Sequence, residues 1–550
     1  MIEPLAPTRR HGGQLLVDQL VIQGVERAFC IPGESFLAAL DGLYQSPIDL
    51  VVCRQEGGAA MMAEAHGKLT GKPGVAFVTR GPGATNASAG VHVAFQDSTP
   101  MVLFIGQVAR HQRDREAFQE VDFKAMYGPL AKWVAEIDLP ERIPEYLSHA
   151  FHLAQGGRPG PVVLALPEDM LSASVEAFDV PKATPVRSEA SSDMVATVLE
   201  ALEAAERPLV IVGGGGWSAR AAADLARFAE GHALPVGTAF RCQDYLDNRH
   251  PAYGGDVGIG INPKLAARIA EADVLLVLGA RLGEMTTGGY QRLRVPHPHQ
   301  TLIHVHPDPD ELGRVYRPQV ALAVSPADLL ARLAVQPGQP SPGRRERLAA
   351  ARADYEAWQL PRETPGDLKL EQVIGHVSAV LPEDAIVTNG AGNYAAWLHR
   401  YFRYKIYRSQ LAPTSGSMGY GLPAAVAAKL ACPEREVICL AGDGCFQMTM
   451  QEFGTACQYG ANIVVLIANN RQYGTIRMHQ ERHYPGRVSG TAMVNPDFAA
   501  LARSYGAFGE RVETTEAFPA ALARARGAGK PAIVELLTDT RALSPGLTLS

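Results

Sequence analysis

Two short apolar runs, each ending in a small polar cluster, constrain this chain more than any other feature. Residues 437–440 run into Ala441-Gly442-Asp443-Gly444-Cys445, and residues 463–467 run into Ala468-Asn469-Asn470. A short unbroken apolar run is the pattern of a strand buried on both faces, as in a parallel sheet. Residues 448–459 have the length and composition of a crossover helix. A right-handed strand–helix–strand unit brings the carboxyl ends of its two strands to one sheet edge. Asp443 and Asn470, 27 positions apart, would meet there. One carboxylate and one amide oxygen beside glycines suit Mg²⁺, which takes one or two carboxylates plus phosphate oxygens. Glycines let backbone N–H groups approach a phosphate closely. The unit therefore reads as a site for a metal-bridged diphosphate. An ordinary Gly-Asp-Gly turn is the alternative, weakened by the asparagine after the second strand.

The remaining sequence repeats this alternation. A chain of 550 residues is long enough for more than one domain. Two Pro-rich polar stretches, residues 180–192 and 335–345, read as linkers. They divide the chain into three expected domains, residues 1–180, 193–335 and 360–550. Each mixes strand-like and helix-like patterns, so the fold class is α/β, three domains with largely parallel sheets. The first has a helix pattern at 15–25, strands at 27–31 and 75–79, and an Ala-rich helix at 58–69. In the middle, Gly213–Gly216 separates a strand at 209–212 from a helix at 218–230. Such a cluster can hold a phosphate at the helix N-terminus or simply make a tight turn. The similar rhythm at the two ends suits duplicated domains.

Composition excludes several function classes. The formal charge is −6 and no basic tract stands out, so nucleic acid is not an expected partner. No apolar run reaches the length of a membrane span. Residues 1–14 are polar, unlike a secretory signal. The seven cysteines are scattered, with no CxxC pair, which fits a reduced cytosol and a cytoplasmic protein. Cys445 reads as a small filler, and His92, on an apolar helix pattern, as structural.

The Gly442–Cys445 and Asn469–Asn470 segments resemble the diphosphate-binding motif of thiamine-diphosphate enzymes. Likeness extends over nearly the whole chain, and is closest to the family of acetolactate synthase, pyruvate oxidase and benzoylformate decarboxylase. The resemblance implies a pyrimidine-binding N-terminal domain, a central Rossmann-like domain and a C-terminal diphosphate-binding domain. It assigns the metal to Asp443, Asn470 and the carbonyl of Gln472. Gly442, Gly444, Cys445 and Gly474 belong to the same cofactor site, and Gly392, Asn393 and Tyr394 face the diphosphate. Within residues 413–419, Gly416 offers its carbonyl to the 4′-amino group. Met418 props the cofactor into a folded shape that makes proton transfer intramolecular.

Glu56, in Arg54-Gln55-Glu56-Gly57-Gly58, lies between a strand and a helix. By itself it is a first-turn glutamate favoured by the helix dipole. The resemblance makes it the acid–base residue that activates the aminopyrimidine. Ala117-Phe118-Gln119-Glu120 matches acetolactate synthase, where the glutamine faces the reacting carbonyl and can donate to a developing oxyanion. Residues 81–86 also match, as a tight turn before a helix.

Three positions depart from acetolactate synthase. Glu34 replaces a glycine; it either supplies a proton for aldehyde release or caps a helix. Arg80 replaces a small residue; it either binds an anionic substrate group or is salt-bridged. His479 falls near the place of a tryptophan, and it and His483 are candidate pocket residues. The reading is a Mg²⁺-dependent, decarboxylating carboligase for a 2-oxo acid. Simple decarboxylation and 2-hydroxyacyl-CoA cleavage are alternatives, and a non-enzymatic scaffold is disfavoured by the complete site. A homodimer or homotetramer is expected, with sites shared between subunits. Arg281 lies where the family touches FAD, but 282–285 and the histidine in His304-Val305-His306-Pro307 depart from it. No tightly bound flavin is expected.

Overall fold

The computed structural model describes residues 8–186 and 188–549. Residues 1–7 of the polar N-terminus, and Arg187 within the first expected linker, lie outside them. The chain forms two compact units.

The first unit comprises residues up to 186 with segments 422–433 and 449–461. Its sheet has the spatial order Asp49–Val52, Arg27–Cys30, Gly74–Val78, Met101–Gln107, Pro161–Pro167, Trp133–Glu136, and every pairing is parallel. In chain order this is 2-1-3-4-6-5. The central strands are Val/Phe/Leu-rich and buried along their length, the expected composition of a sheet covered on both faces. Phe77 stacks on Phe104 at 4.8 Å and on Phe36 at 5.9 Å, placing aromatic bulk at the middle of this core.

The second unit holds two sheets. The one nearer the N-terminus has the order Tyr253–Val257, Val236–Ala239, Pro208–Val212, Val274–Leu278, Thr301–Val305, Val320–Leu322. That is 3-2-1-4-5-6 in chain order, the doubly wound dinucleotide-fold arrangement. The other has Gln410–Leu411, Ile386–Asn389, Val437–Gly442, Val464–Asn469, Ala532–Leu537, Phe508–Val512, again 2-1-3-4-6-5. The first and last sheets thus share one strand order, the duplicated rhythm seen in the sequence. All three are parallel, and in each the chain winds first one way and then the other from its first strand, reversing beside that strand. Ligands of open α/β sheets bind outside the carboxyl ends of the strands at that point.

Three local expectations change. Gly81-Pro82-Gly83 is not a separate turn: it forms the first turn of the helix Gly81–Asp97, where proline's missing N–H costs nothing. The second linker is shorter than expected, because Ser341 caps a helix Pro342–Trp358 through the N–H of Arg344. The crossover helix is split. Asp443–Gln447 turns immediately after its strand, and Glu452–Gln458 follows.

Candidate active site

Strands Val437–Gly442 and Val464–Asn469 pair in parallel, with Gly442 opposite Ala468. Asp443 and Asn470 therefore emerge side by side from one sheet edge. They line a cavity of about 240 Å³ in the second unit. Gly442, Gly444 and Cys445 form its wall at the first strand, and Gln472 and Gly474 at the second. Gly392, Asn393 and Tyr394 approach from across the switch point, and Gly416 and Met418 from the loop before helix Gly421–Ala431. Every C-terminal residue that the resemblance assigned to the cofactor or the metal lines this one cavity.

Asp443 is 3% exposed. Its Oδ1 accepts the Gly444 N–H at 2.8 Å. Its Oδ2 accepts the Arg471 N–H at 2.8 Å and Asn495 Nδ2 at 2.7 Å. Burial pushes its carboxyl above the ordinary aspartate range despite these donors. All three donors are neutral, so a cation would compensate the buried charge. Asn470 Oδ1 accepts the Gln472 N–H at 3.2 Å, and Gln472 Nε2 donates to the Thr540 carbonyl at 2.6 Å. Among the described residues no cluster of three or more His, Cys, Asp or Glu side chains could hold a metal. A metal here would rest on one carboxylate plus amide and carbonyl oxygens. That donor set fits Mg²⁺ carrying phosphate oxygens.

Tyr394 and Cys445 brace the loops. The Tyr394 hydroxyl accepts the Gly390 N–H and donates to Cys445 Sγ, both at 3.1 Å. The same sulfur accepts the Gly419 N–H at 3.2 Å. Cys445 is a buried free thiol, in keeping with a packing role. Asn393 is held by Thr475, whose hydroxyl donates to Asn393 Oδ1 at 3.0 Å.

In the first unit, Glu56 begins the helix Glu56–Thr70. Asn86 Nδ2 donates to its Oε2 at 2.9 Å, and a Cβ on Gly83 would lie 3.3 Å from its Oε1. The backbone just before it is held by Glu452, fully buried, whose Oε1 accepts the Gln55 N–H at 2.9 Å and the Arg54 N–H at 3.1 Å. Sequence reading missed Glu452 and Asn495. Their only signal is a polar residue beside a motif, and their partners are distant in the chain.

Glu34 and Arg80 follow the two strands that flank this unit's switch point. Arg80, 7% exposed, donates to Glu34 at 2.9 Å and to Glu168 at 3.3 Å. The salt-bridged reading of Arg80 is the one seen. Glu34 is the first residue of a 3₁₀ turn, Glu34–Phe36, whose N-cap is Gly33, so the expectation that Glu34 caps a helix is not met. Phe118 is exposed and lies 5.9 Å from the Arg80 guanidinium. Gln119 sits at φ +65°, and its carbonyl accepts the Gly81 N–H at 3.0 Å. Glu120 closes the loop by accepting the Asp114 and Ala117 N–H groups, which hold its carboxyl below the usual range.

The histidine expectations change. His92 is exposed on its helix rather than packed in a core. His479 and His483 lie on the helix Gly474–His483, stacked on each other at 6.4 Å and outside the cavity lining.

At the central switch point the glycines pack against each other. A Cβ on Gly214 would come within 2.0 Å of the Gly279 carbonyl oxygen. Trp217 Nε1 and the Tyr245 hydroxyl donate to the Gly213 and Gly214 carbonyls. Ser218 caps the following helix itself. This favours the tight-turn reading. Arg281 pairs with Glu311 at 3.4 Å, and His304 Nε2 donates to the Ala280 carbonyl at 2.8 Å.

Comparison with known proteins agrees with this geometry. Residues 10–126 match the family model described as "Thiamine pyrophosphate enzyme, N-terminal TPP binding domain". Residues 195–333 match the central domain, and 390–536 the C-terminal TPP binding domain. The acetolactate synthase large subunit of Corynebacterium glutamicum is 32% identical, covering 97% of this chain and 87% of its own. The large subunit of Parasynechococcus marenigrum is 33% identical, covering 96% and 88%. Isozyme 2 of Escherichia coli is 31% identical, covering 96% of each. With three family domains in order and relatives matched end to end, this chain belongs to the thiamine pyrophosphate enzyme family and is a thiamine-diphosphate-dependent enzyme acting on carbon–carbon bonds.

Proposed function

We propose that the chain is a Mg²⁺-dependent carboligase that decarboxylates a 2-oxo acid and joins the remaining fragment to a second carbonyl compound. The single observation that carries this reading is the cavity edge shared by Asp443, Asn470 and Gln472, in a chain whose relatives above are acetolactate synthases. Bound thiamine diphosphate supplies a carbon nucleophile and an electron sink for loss of CO₂. Asp443, Asn470 and the Gln472 carbonyl hold the metal, while Gly392, Asn393, Tyr394, Gly442, Gly444, Cys445 and Gly474 shape the diphosphate cradle. Gly416 and Met418 orient the aminopyrimidine. Glu56 exchanges a proton with its ring nitrogen, and Asn86 keeps the Glu56 carboxylate oriented. Gln119 donates toward the reacting carbonyl oxygen.

One observation favours a second outcome, release of an aldehyde. Glu34 is 65% exposed at its side chain yet tethered to a buried arginine at a switch point, a placement suited to delivering a proton there.

The domains are taken as residues 1–180, 193–335 and 360–550. The active form is a cytoplasmic homodimer or homotetramer whose sites need two subunits, so light scattering of a fully active sample should give no monomer. No tightly bound flavin is part of the reading. Support comes from the pairing of Arg281 with Glu311 and the closed glycine turns, and a flavin absorbance spectrum in purified protein would refute it. No helix among the described residues is long and apolar enough to cross a membrane.

The test is cofactor-dependent CO₂ release from a panel of 2-oxo acids, with and without added aldehyde. Release from one acid, lost by roughly 100-fold or more in Glu56→Gln, supports the reading, and the co-product separates ligation from aldehyde release. No release from any acid rejects it.

A further inference from the structure

We infer that Arg241, from the central sheet's connecting loop, is a positioning residue for the thiamine diphosphate site. Arg241 follows the strand Val236–Ala239 and is 5% exposed. It is one of the few non-glycine residues at positive φ, +62°, a conformation that costs free energy and persists where surrounding contacts fix it. Its Nη2 donates to the Gly390 carbonyl at 2.9 Å, and its Nη1 donates to the Pro413 carbonyl. Its guanidinium lies 4.9 Å from the Phe240 ring centroid.

Those two carbonyls belong to the two loops that close the cofactor cavity. Gly390 begins the turn that carries Gly392, Asn393 and Tyr394. Pro413 begins the turn that carries Gly416 and Met418, and its carbonyl also accepts the Gly416 N–H at 3.1 Å. A planar guanidinium with fixed donor directions ties two acceptors at a set separation. A lysine, with one point of charge, cannot. Arg241 therefore sets the spacing between the diphosphate edge and the aminopyrimidine edge of the cavity without itself lining it. Nothing in residues 237–243 signals this role, because both partners lie about 150 or more positions downstream.

The test measures thiamine diphosphate binding to the full chain in saturating Mg²⁺, read by quenching of intrinsic fluorescence, for which Trp397 in the cavity lining is a reporter. Arg241→Met is expected to raise Kd about tenfold, the effect of roughly one charge-assisted hydrogen bond. Arg241→Lys should fall between it and the parent. The control is Gln243→Ala, two residues on in the same loop: Gln243 contacts the His399 carbonyl and Gln410 but neither cofactor loop. It should lower the melting temperature of the apoprotein while leaving Kd within about twofold. Unchanged Kd in Arg241→Met overturns the inference, and so does an equal rise in Gln243→Ala. Should Arg241→Met fail to fold, Arg241→Lys decides: a Kd equal to the parent's rejects the role. Because the readout is binding, a failure of the proposed 2-oxo acid chemistry would leave this result standing.

Discussion

Asp443 shows how a single side chain is made ready for a cation. Its carboxylate is nearly inaccessible, and three neutral donors fix both oxygens. Asn495 is the one side chain among those donors, and it also bonds Asn469 Oδ1 at 2.8 Å. Removing it leaves Asp443 Oδ2 with the Arg471 N–H as its one remaining donor and Asn469 with one donor fewer. Asn495→Ala is therefore expected to weaken Mg²⁺-dependent thiamine diphosphate binding about tenfold with little change in melting temperature, checked by titration at fixed cofactor and varied metal. The position reads from sequence only as an asparagine in a loop, whereas Asp443 and Asn470 are legible because each ends an apolar run.

At the level of elements, the start of helix Glu56–Thr70 is held by a partner from another helix. Glu452 accepts the Arg54 and Gln55 N–H groups and the Thr455 hydroxyl. An amide in its place turns one acceptor into a donor facing those N–H groups. Glu452→Gln is expected to cost about 1–3 kcal/mol, measurable as a lower denaturant midpoint. The same contact explains the glycine at position 58. A Cβ there would sit 2.4 Å from Glu452 Oε1, so Gly58→Ala should destabilise the protein, although alanine normally favours a helix interior by about 1 kcal/mol. A melting temperature raised by this substitution would contradict the packing described. Helix and strand positions here were legible from periodicity. The Glu452 contact was not, because it joins residues almost 400 positions apart.

Across the whole molecule, buried ionisable groups outside the site set the pH response. Burial lowers His66 and His304 to about 4 and His399 to about 3. Each is neutral when folded but takes up a proton once unfolded below its ordinary 6.5, so stability falls as pH drops from 6.5 toward 4. Asp256 acts in the opposite sense. Burial of its carboxyl raises it from 3.8 to about 8, against the influence of Arg241 and Arg292. The folded protein keeps a proton that the unfolded chain has lost, so this stabilisation shrinks as pH rises from about 4 to about 8. Relative to the parent, Asp256→Asn should gain in unfolding midpoint across that interval and level off above it. A difference independent of pH would mean Asp256 is charged in the fold.

Sequence by itself determined the α/β class, the parallel strands and the residues at the two strand ends that carry the diphosphate motif. Those properties are local: apolar runs bury on both faces, and the polar residues that end them fall at a sheet edge. Only the tertiary structure decided which carbonyls Arg241 grips, that Arg80 spends its charge on Glu34 and Glu168, and that the central glycines pack on each other. It also showed that the first and last sheets share one strand order. These depend on which distant segments the sheets bring within hydrogen-bond reach, and no local pattern encodes that.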